Sequence, residues 1–389
     1  MTSDKRWLLP DGIDELLPDR AGAVEHMRRA LLDECARWGF QFVIPPLVEF
    51  TDSLFVGLGA DLDVLTCKFS DRLSGRTLGV RADMTPQTAR IDAHSLCEEG
   101  VTRLCYAGST LHSAPQSLMA GRSPIQLGAE IYGCADPSAD LEIIDLMLAL
   151  VSRAAGQDCT ITLDIGHVGV YEALLAELDR ATDIGEAVFD ALQRKSLPDL
   201  EAAIVGLPAE LAASLLALTQ LHGSTDVLSK ARALVADLPS AKRAIDEVEA
   251  VVSAIERAHP NVAIYIDLAE LRGFQYHTGL VFAAYIDGHG AAIAKGGRYD
   301  NVGSVFGRAR PATGFACDLK ALTAATQLEI NSRRVISAPV VFDQDLELTI
   351  NHLREDGCVV IRAHNGEHDH RCNEQLIKHG TDWVCEPRA

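Results

Sequence analysis

The stretch RLCYAGSTLHSAPQSLMAGRSPIQLGAEIYG, residues 103–133, decides how this chain is read. Two strand-like ends enclose a polar loop. The first end, Leu104 to Ala107, is short and apolar. The second, Ser123 to Tyr132, alternates in part, so that Gln126, Gly128 and Glu130 share one face while Ile125, Leu127, Ala129 and Ile131 share the other. An amide and a carboxylate on one strand face can converge on a small polar ligand such as an amino group or an imidazole N–H. The alternative is a solvated sheet face.

Upstream of this stretch, Thr66 to Thr85 reads as a hairpin turning at Ser74 and Gly75, and Thr85-Pro86 as a helix start with Thr as N-cap and Pro in the first helical position. Before the hairpin, Val24, Met27, Leu31, Cys35 and Trp38 recur at helical spacing, Gly39 ends that helix, and FQFVIPPLVEF predicts a buried strand broken by Pro45 and Pro46. Downstream, the spacing predicts a helix entered near Ser138 with Leu141, Ile144, Leu148 and Val151 as its buried stripe, then a strand over 160–165. Residues 168–259 are rich in Ala and Leu and read as a helical insertion with breaks near Pro198, Pro208, Gly223 and Pro239. Strands resume at Val262 to Leu268. Residues 332–389 predict a small C-terminal α/β unit of strand, helix and strand, with KHGTDWVCEP as a final strand.

These residues carry a resemblance. Tyr106, Gly108, Gln126, Gly128, Glu130 and Gly133 are spaced as in motif 2 of the class II aminoacyl-tRNA synthetases, in the form used by histidyl-tRNA synthetase. In that family the loop holds the arginines and the glutamate that grip ATP, and a Gln-x-x-x-Glu strand reads the histidine. Aligned without a gap, the family's FRxER segment falls on Leu111, His112, Ser113, Ala114 and Pro115, so both arginines and the acid are absent. A histidine cannot supply the permanent bidentate charge that a triphosphate needs. RADMTPQTAR resembles the family's RPEGT signature, with Asp83 in place of the acid that binds the substrate's α-ammonium group. WGFQFVIPPLVEF resembles motif 1.

Two later segments extend the likeness. ELRGFQYHTGLVFAAYI resembles the histidine-specific LVRGLDYYxxTVFE motif, with Arg272, Gly273, Tyr276, Thr278, Val281 and Phe282 in register, Gln275 for the aspartate and His277 for the second tyrosine. The resemblance implies that Arg272 meets a carboxylate and that the tyrosines line an imidazole pocket. KGGRYDNVG resembles the loop whose tyrosine, here Tyr299, closes that pocket. Motif 3 should end in Gly-x-Glu-Arg, and this chain reads Cys317, Asp318, Leu319, Lys320, Ala321, which removes the second nucleotide arginine and adds an acid.

The resemblance implies an α+β fold: a class II synthetase-like antiparallel sheet flanked by helices over residues 1–323, with the helical insertion and the C-terminal unit. It points to the family of regulatory subunits of ATP phosphoribosyltransferase, non-catalytic paralogues of histidyl-tRNA synthetase. That family joins the short form of the catalytic subunit in the first step of histidine biosynthesis, and histidine is its feedback ligand. Asp83, Thr85, Gln126, Glu130, Arg272, Tyr276, His277 and Tyr299 are the expected L-histidine contacts; His112, Ala114 and Ala321 mark lost ATP positions. No catalytic residue, cofactor or metal is expected, and a homodimer within a hetero-oligomer is carried over from motif 1. The alternatives are an active ATP-dependent ligase, which lacks its arginines, and an amino-acid sensor with another partner, which fits the same pocket.

Composition sets bounds. The 389 residues are 48% hydrophobic, and 55 Asp and Glu against 35 Lys and Arg leave a formal charge of −20, which repels a nucleic-acid backbone. No long apolar run or leader pattern appears, so the chain reads as cytoplasmic, with no membrane or nucleic-acid partner. Ten scattered cysteines form no Cys-x-x-Cys pair and read as reduced. His364, His368, His370 and Cys372 match no common zinc spacing and read as a polar turn.

Overall fold

A computed structural model of the chain describes residues 7–54, 60–116, 120–156, 159–176, 183–269, 277–326, 333–367 and 369–388. Two compact units are present, Met1–Leu328 and Glu329–Ala389. The first opens with α1 (Pro18–Arg37), which buries Val24, Met27, Leu31 and Cys35. Next come β1 (Gln41–Phe42), β2 (Val48–Phe50), α2 (Thr51–Leu54), α3 (Ala60–Leu65), the hairpin of β3 (Cys67–Ser70) and β4 (Thr77–Val80), and α4 (Thr85–Arg90). The segment continues through β5 (Thr102–Ser109), β6 (Ile125–Tyr132), α5 (Ser138–Ala155) and β7 (Ile161–His167).

The insertion holds α6 (Val168–Leu175), α7 (Asp183–Gln193), α8 (Leu197–Ala203), α9 (Ala209–Leu218), the two-residue β8 (His222–Gly223), α10 (Val227–Leu234) and α11 (Pro239–Ala258). Its prolines start helices rather than merely breaking them: Pro198 and Pro239 lie in first turns, where the missing N–H has no helical partner to lose. The unit closes with β9 (Val262–Asp267), β10 (Leu280–Ile286), β11 (Ala294–Arg298), β12 (Ala312–Asp318) and α12 (Leu319–Ala325).

Nine strands form one sheet in the order β1-β5-β6-β12-β11-β10-β7-β9-β8. Its pairs are antiparallel except β1 with β5 and β7 with β9. One face buries Leu127, Ala129 and Ile131 of β6 in the main core, together with Ile143, Met147 and Leu150 of α5 and Val248 and Val252 of α11. The opposite face carries the candidate site.

Three sequence expectations are corrected here. FQFVIPPLVEF is not one buried strand: its halves are β1, at the edge of the large sheet, and β2, in a separate three-stranded sheet. The consecutive prolines between them have no N–H to sustain a ladder, and Phe42, Ile44 and Leu47 are exposed. Thr85 is not an N-cap; it is the first residue of α4, and Met84 precedes it without a side-chain cap bond. Helix α5 has no single stripe, because Leu141 is only half-buried while Ile143, Leu146, Met147, Leu150 and Ala154 join Ile144, Leu148 and Val151 inside.

In the second unit β13 (Val335–Pro339), α13 (Gln344–Glu355), β14 (Val359–Ala363), β15 (Glu374–His379) and β16 (Asp382–Pro387) form a four-stranded sheet in the order β14-β13-β15-β16 with one helix. The KHGTDWVCEP segment is a hairpin rather than a final strand, since His379 pairs with Asp382 across Gly380, whose φ is +63°. His364 opens a short 3-10 turn, His370 is exposed and Cys372 is buried, while His368 lies outside the described residues.

Candidate functional site

Strand register builds the site. Glu130 on β6 is paired with Gly314 on β12, Gly314 with Gly297 on β11, and Gly128 with Tyr106 on β5. Paired residues point to the same side of a sheet, so Tyr106, Glu130, Tyr132 and Tyr299 stand on one face with glycines between them. A Cβ on Gly314 would fall on the Glu130 carboxylate, and one on Gly128 would strike the Tyr106 ring. The glycines therefore leave the space that the tyrosines and the acid fill.

Glu130 is only 1% exposed. Its Oε1 accepts from the Tyr106 hydroxyl at 2.9 Å and from Thr85 Oγ1 at 3.1 Å, and its Oε2 accepts from the Tyr299 hydroxyl at 2.5 Å. Thr85 and Tyr106 also touch at 3.0 Å, and Tyr299 donates to Tyr132 at 3.3 Å. Every one of these partners is neutral, and among the described residues no Lys or Arg pairs with Glu130. Burial is accordingly the dominant influence and pushes its carboxyl up to about 8, against the pull of the three hydroxyls. The phenols of Tyr106, Tyr132 and Tyr299 are driven well above the ordinary range, again chiefly by burial.

Asp83 and Gln126 form the outer wall. Asp83 Oδ1 accepts from Thr85 N at 3.0 Å and from Gln126 Nε2 at 2.7 Å, and Gln126 Oε1 accepts from Met84 N at 2.9 Å. The amide thus bridges the strand to the turn before α4 and fixes the carboxylate's direction. His277 is half-buried, with its ring against Gly297: a Cβ there would meet Cδ2 at 2.7 Å. The structure therefore brings together Asp83, Thr85, Gln126, Glu130 and Tyr299 and sets His277 on the same face. Arg272 and Tyr276 lie outside the described residues.

The positions expected to have lost ATP contacts are occupied by other bonds. His112 is 9% exposed, and one ring nitrogen lies 3.0 Å from the Ala82 carbonyl. Ala114 is exposed, and Ala321 sits half-buried in α12. Asp318 caps α12 by accepting from Lys320 N at 3.0 Å, and also takes Ile125 N at 3.1 Å; burial raises its carboxyl. Lys320 Nζ reaches Asp14 at 2.7 Å and Ser123 at 3.2 Å, while Arg122 donates to the carbonyls of His112 and Asp11. The cations next to these positions are thus turned toward the protein's own acceptors.

Sequence reasoning placed Tyr106 in the motif 2 spacing without giving it a role and missed Tyr132; only strand register puts Tyr106 opposite Gly128 and Tyr132 beside Tyr299. It also missed the support behind the sheet, where Arg298 donates to Asp140 Oδ2 through Nη2 at 2.6 Å and Nε at 3.0 Å, with both side chains buried. Arg310 and Asp92 form a second buried pair at 2.8 Å.

This sheet, with its insertion and its Gln126/Glu130 wall, is the fold of the histidyl-tRNA synthetases. A family model described as Histidyl-tRNA synthetase matches residues 12–322, and one described as ATP phosphoribosyltransferase subunit HisZ C-terminal domain matches residues 333–386. A crystal structure of an ATP phosphoribosyltransferase regulatory subunit/histidyl-tRNA synthetase from Bacillus halodurans C is similar with a TM-score of 0.80 and 26% identity, over 93% of this chain and 94% of that one. Histidyl-tRNA synthetase from Nostoc sp. PCC 7120, at 17% identity and TM-score 0.76 over 95% and 91% of the two chains, shares the fold. ATP phosphoribosyltransferase regulatory subunits from Ectopseudomonas mendocina (strain ymp) and Pseudomonas syringae pv. tomato (strain ATCC BAA-871 / DC3000) are each 46% identical over the full length of both chains. The chain belongs to the family of ATP phosphoribosyltransferase regulatory subunits. Its function is that of such a subunit, in histidine biosynthesis.

Proposed function

We propose that this subunit joins a short-form catalytic subunit of ATP phosphoribosyltransferase and relays feedback by holding free L-histidine on the Glu130 face. The observation that carries this reading is a buried carboxyl surrounded by neutral hydroxyls, with a second carboxylate, Asp83, at its rim. Asp83 suits the α-ammonium through Oδ2, which holds neither the Thr85 nor the Gln126 bond. Glu130 suits the ring, Tyr299 and His277 its flanks, and Arg272 with Tyr276 the carboxylate and the remaining wall. The subunit performs no chemistry of its own, because His112 and Ala321 offer no fixed cation to a triphosphate and Ala114 no acid. Regulation is linkage: histidine shifts the partner's activity by its affinity difference between two states of the assembly, typically about 1–3 kcal/mol.

Calorimetric titration of the purified chain should show binding of L-histidine and none of ATP, and Glu130→Ala should abolish the former while the protein stays folded and associated. Equal histidine binding by Glu130→Ala would overturn the pocket. Phosphoribosyl transfer by the catalytic subunit, assayed with and without this chain and with histidine, tests the regulation. The chain acts in the cytoplasm as a homodimer whose interface includes the exposed Phe42, Ile44 and Leu47 around the proline pair. Among the described residues no helix is long and apolar enough to cross a membrane.

A further inference from the structure

Resting on that reading of the pocket, the geometry points to one more property: the ligand's ring is held as a cation, and Glu130 supplies the proton. In the empty site the proton sits on the Glu130 carboxyl. On binding, that O–H bond breaks, the proton joins the ring nitrogen facing it, and a carboxylate is left against a protonated ring.

The cluster around Glu130 requires a proton in the empty site. From β5 it meets Tyr106, from α4 Thr85 and from the turn after β11 Tyr299, with Gly314 of β12 beneath it; Tyr132 stands behind Tyr299, and the His277 ring lies on the same face against Gly297. Among the described residues the charged groups nearby are Asp83, which repels a second negative charge, and Asp92 beyond Tyr132, which is already paired with Arg310. A buried carboxylate with no cation beside it neutralises rather than stays ionised. The upward displacement of its titration to about 8 agrees with this arrangement.

An imidazole is the base that fits the deficit. Free, its pKa is about 6.5, so the empty site holds a proton roughly thirtyfold more firmly than the free ring does. The attraction between a carboxylate and a protonated ring within about 4–6 Å is worth roughly 10- to 1000-fold for the pair, and over most of that range it outweighs the deficit. The resulting charge-assisted bond is shorter and about twice as strong as a neutral one. The complex then holds that one proton on the ring, against the Glu130 carboxylate, throughout the working pH range.

Proton counting by calorimetry in buffers of different ionisation enthalpy tests this on the full chain. With L-histidine, binding should release close to one proton at pH about 5.5, exchange none at pH about 7.2, and take up most of one at pH about 8.5. Glu130→Gln keeps the shape but carries no exchangeable acid; it should bind at least tenfold more weakly and lose the uptake at pH about 8.5. The ring nitrogens of bound 15N-labelled L-histidine should show imidazolium shifts by NMR at pH about 7.2; neutral-ring shifts, release of a proton near that pH, or unchanged uptake in Glu130→Gln, overturns the inference while leaving the pocket intact. Absence of histidine binding at all three pH values overturns both.

Discussion

Gly314 and Glu130 are register partners on adjacent strands, and the acid's carboxylate occupies the volume that any side chain at 314 would need. The carboxyl is thus held from below by the absence of atoms and from its other sides by Tyr106, Thr85 and Tyr299.

Gly314→Ala should therefore expel the carboxylate from its cradle. Forcing a methyl group into packed space costs about 1–3 kcal/mol. We expect a lower denaturant midpoint and loss of histidine binding together. Retained binding at parental affinity would show that the cradle is not needed.

The same carboxyl makes ligand-free stability depend on pH with a defined sign. Its titration is raised from 4.5 to about 8 on folding, so the native state holds the proton more firmly than the unfolded chain. Its contribution is fully present below about pH 4.5 and is lost as pH rises toward 8. At about 1.36 kcal/mol per pKa unit the upper limit is about 5 kcal/mol. Denaturation of the parent and of Glu130→Gln across that window should show the parent losing stability relative to the variant, and parallel profiles would contradict the assignment.

Arg298 and Asp140 fasten α5 behind the site strands, with relative side-chain exposures of 9% and 2%. Arg298→Ala leaves an uncompensated buried carboxylate and should cost about 3–5 kcal/mol, whereas Arg298→Met with Asp140→Leu should recover most of that loss. Chemical denaturation of the two variants measures the difference. If the double variant is as unstable as the single one, the pair contributes more than charge compensation.

Asp318 stands where the synthetase motif has a small residue, and it caps α12. Asp318→Ala should lower stability by about 1 kcal/mol through loss of the cap, and Asp318→Asn by less. Neither should gain ATP binding in an equilibrium titration, because the arginines remain absent. Appearance of ATP binding in Asp318→Ala would mean that the acid alone had closed the nucleotide site.

The two-residue alternation of β6 was legible because one face carries Gln126 and Glu130 while the other carries Leu127, Ala129 and Ile131, and it separated the polar face from the core face as the structure does. The helices of the insertion were legible from their composition and their prolines. Three features were not. The break at Pro45-Pro46 looked like an interruption in one strand, since apolar residues flank it on both sides, yet the halves belong to different sheets. Thr85-Pro86 carries a strong capping signature, but the hydroxyl is claimed by Glu130 and Tyr106, long-range partners that local pattern does not register. The KHGTDWVCEP hairpin was hidden by its tight two-residue turn.

The sequence by itself determined which residue types were available: two carboxylates and an amide at fixed strand and turn positions, and no arginine at three sites where a nucleotide would need charge. It could do so because alternation and motif spacing are one-dimensional properties of the chain. Only the tertiary structure decided that Glu130 is sealed among hydroxyls with no counter-charge among the described residues, since that depends on which strands lie side by side. Register placed Gly314 and Gly128 opposite the acid and the tyrosine, and burial then set the carboxyl's proton affinity, a quantity that neighbours in space control and neighbours in sequence do not.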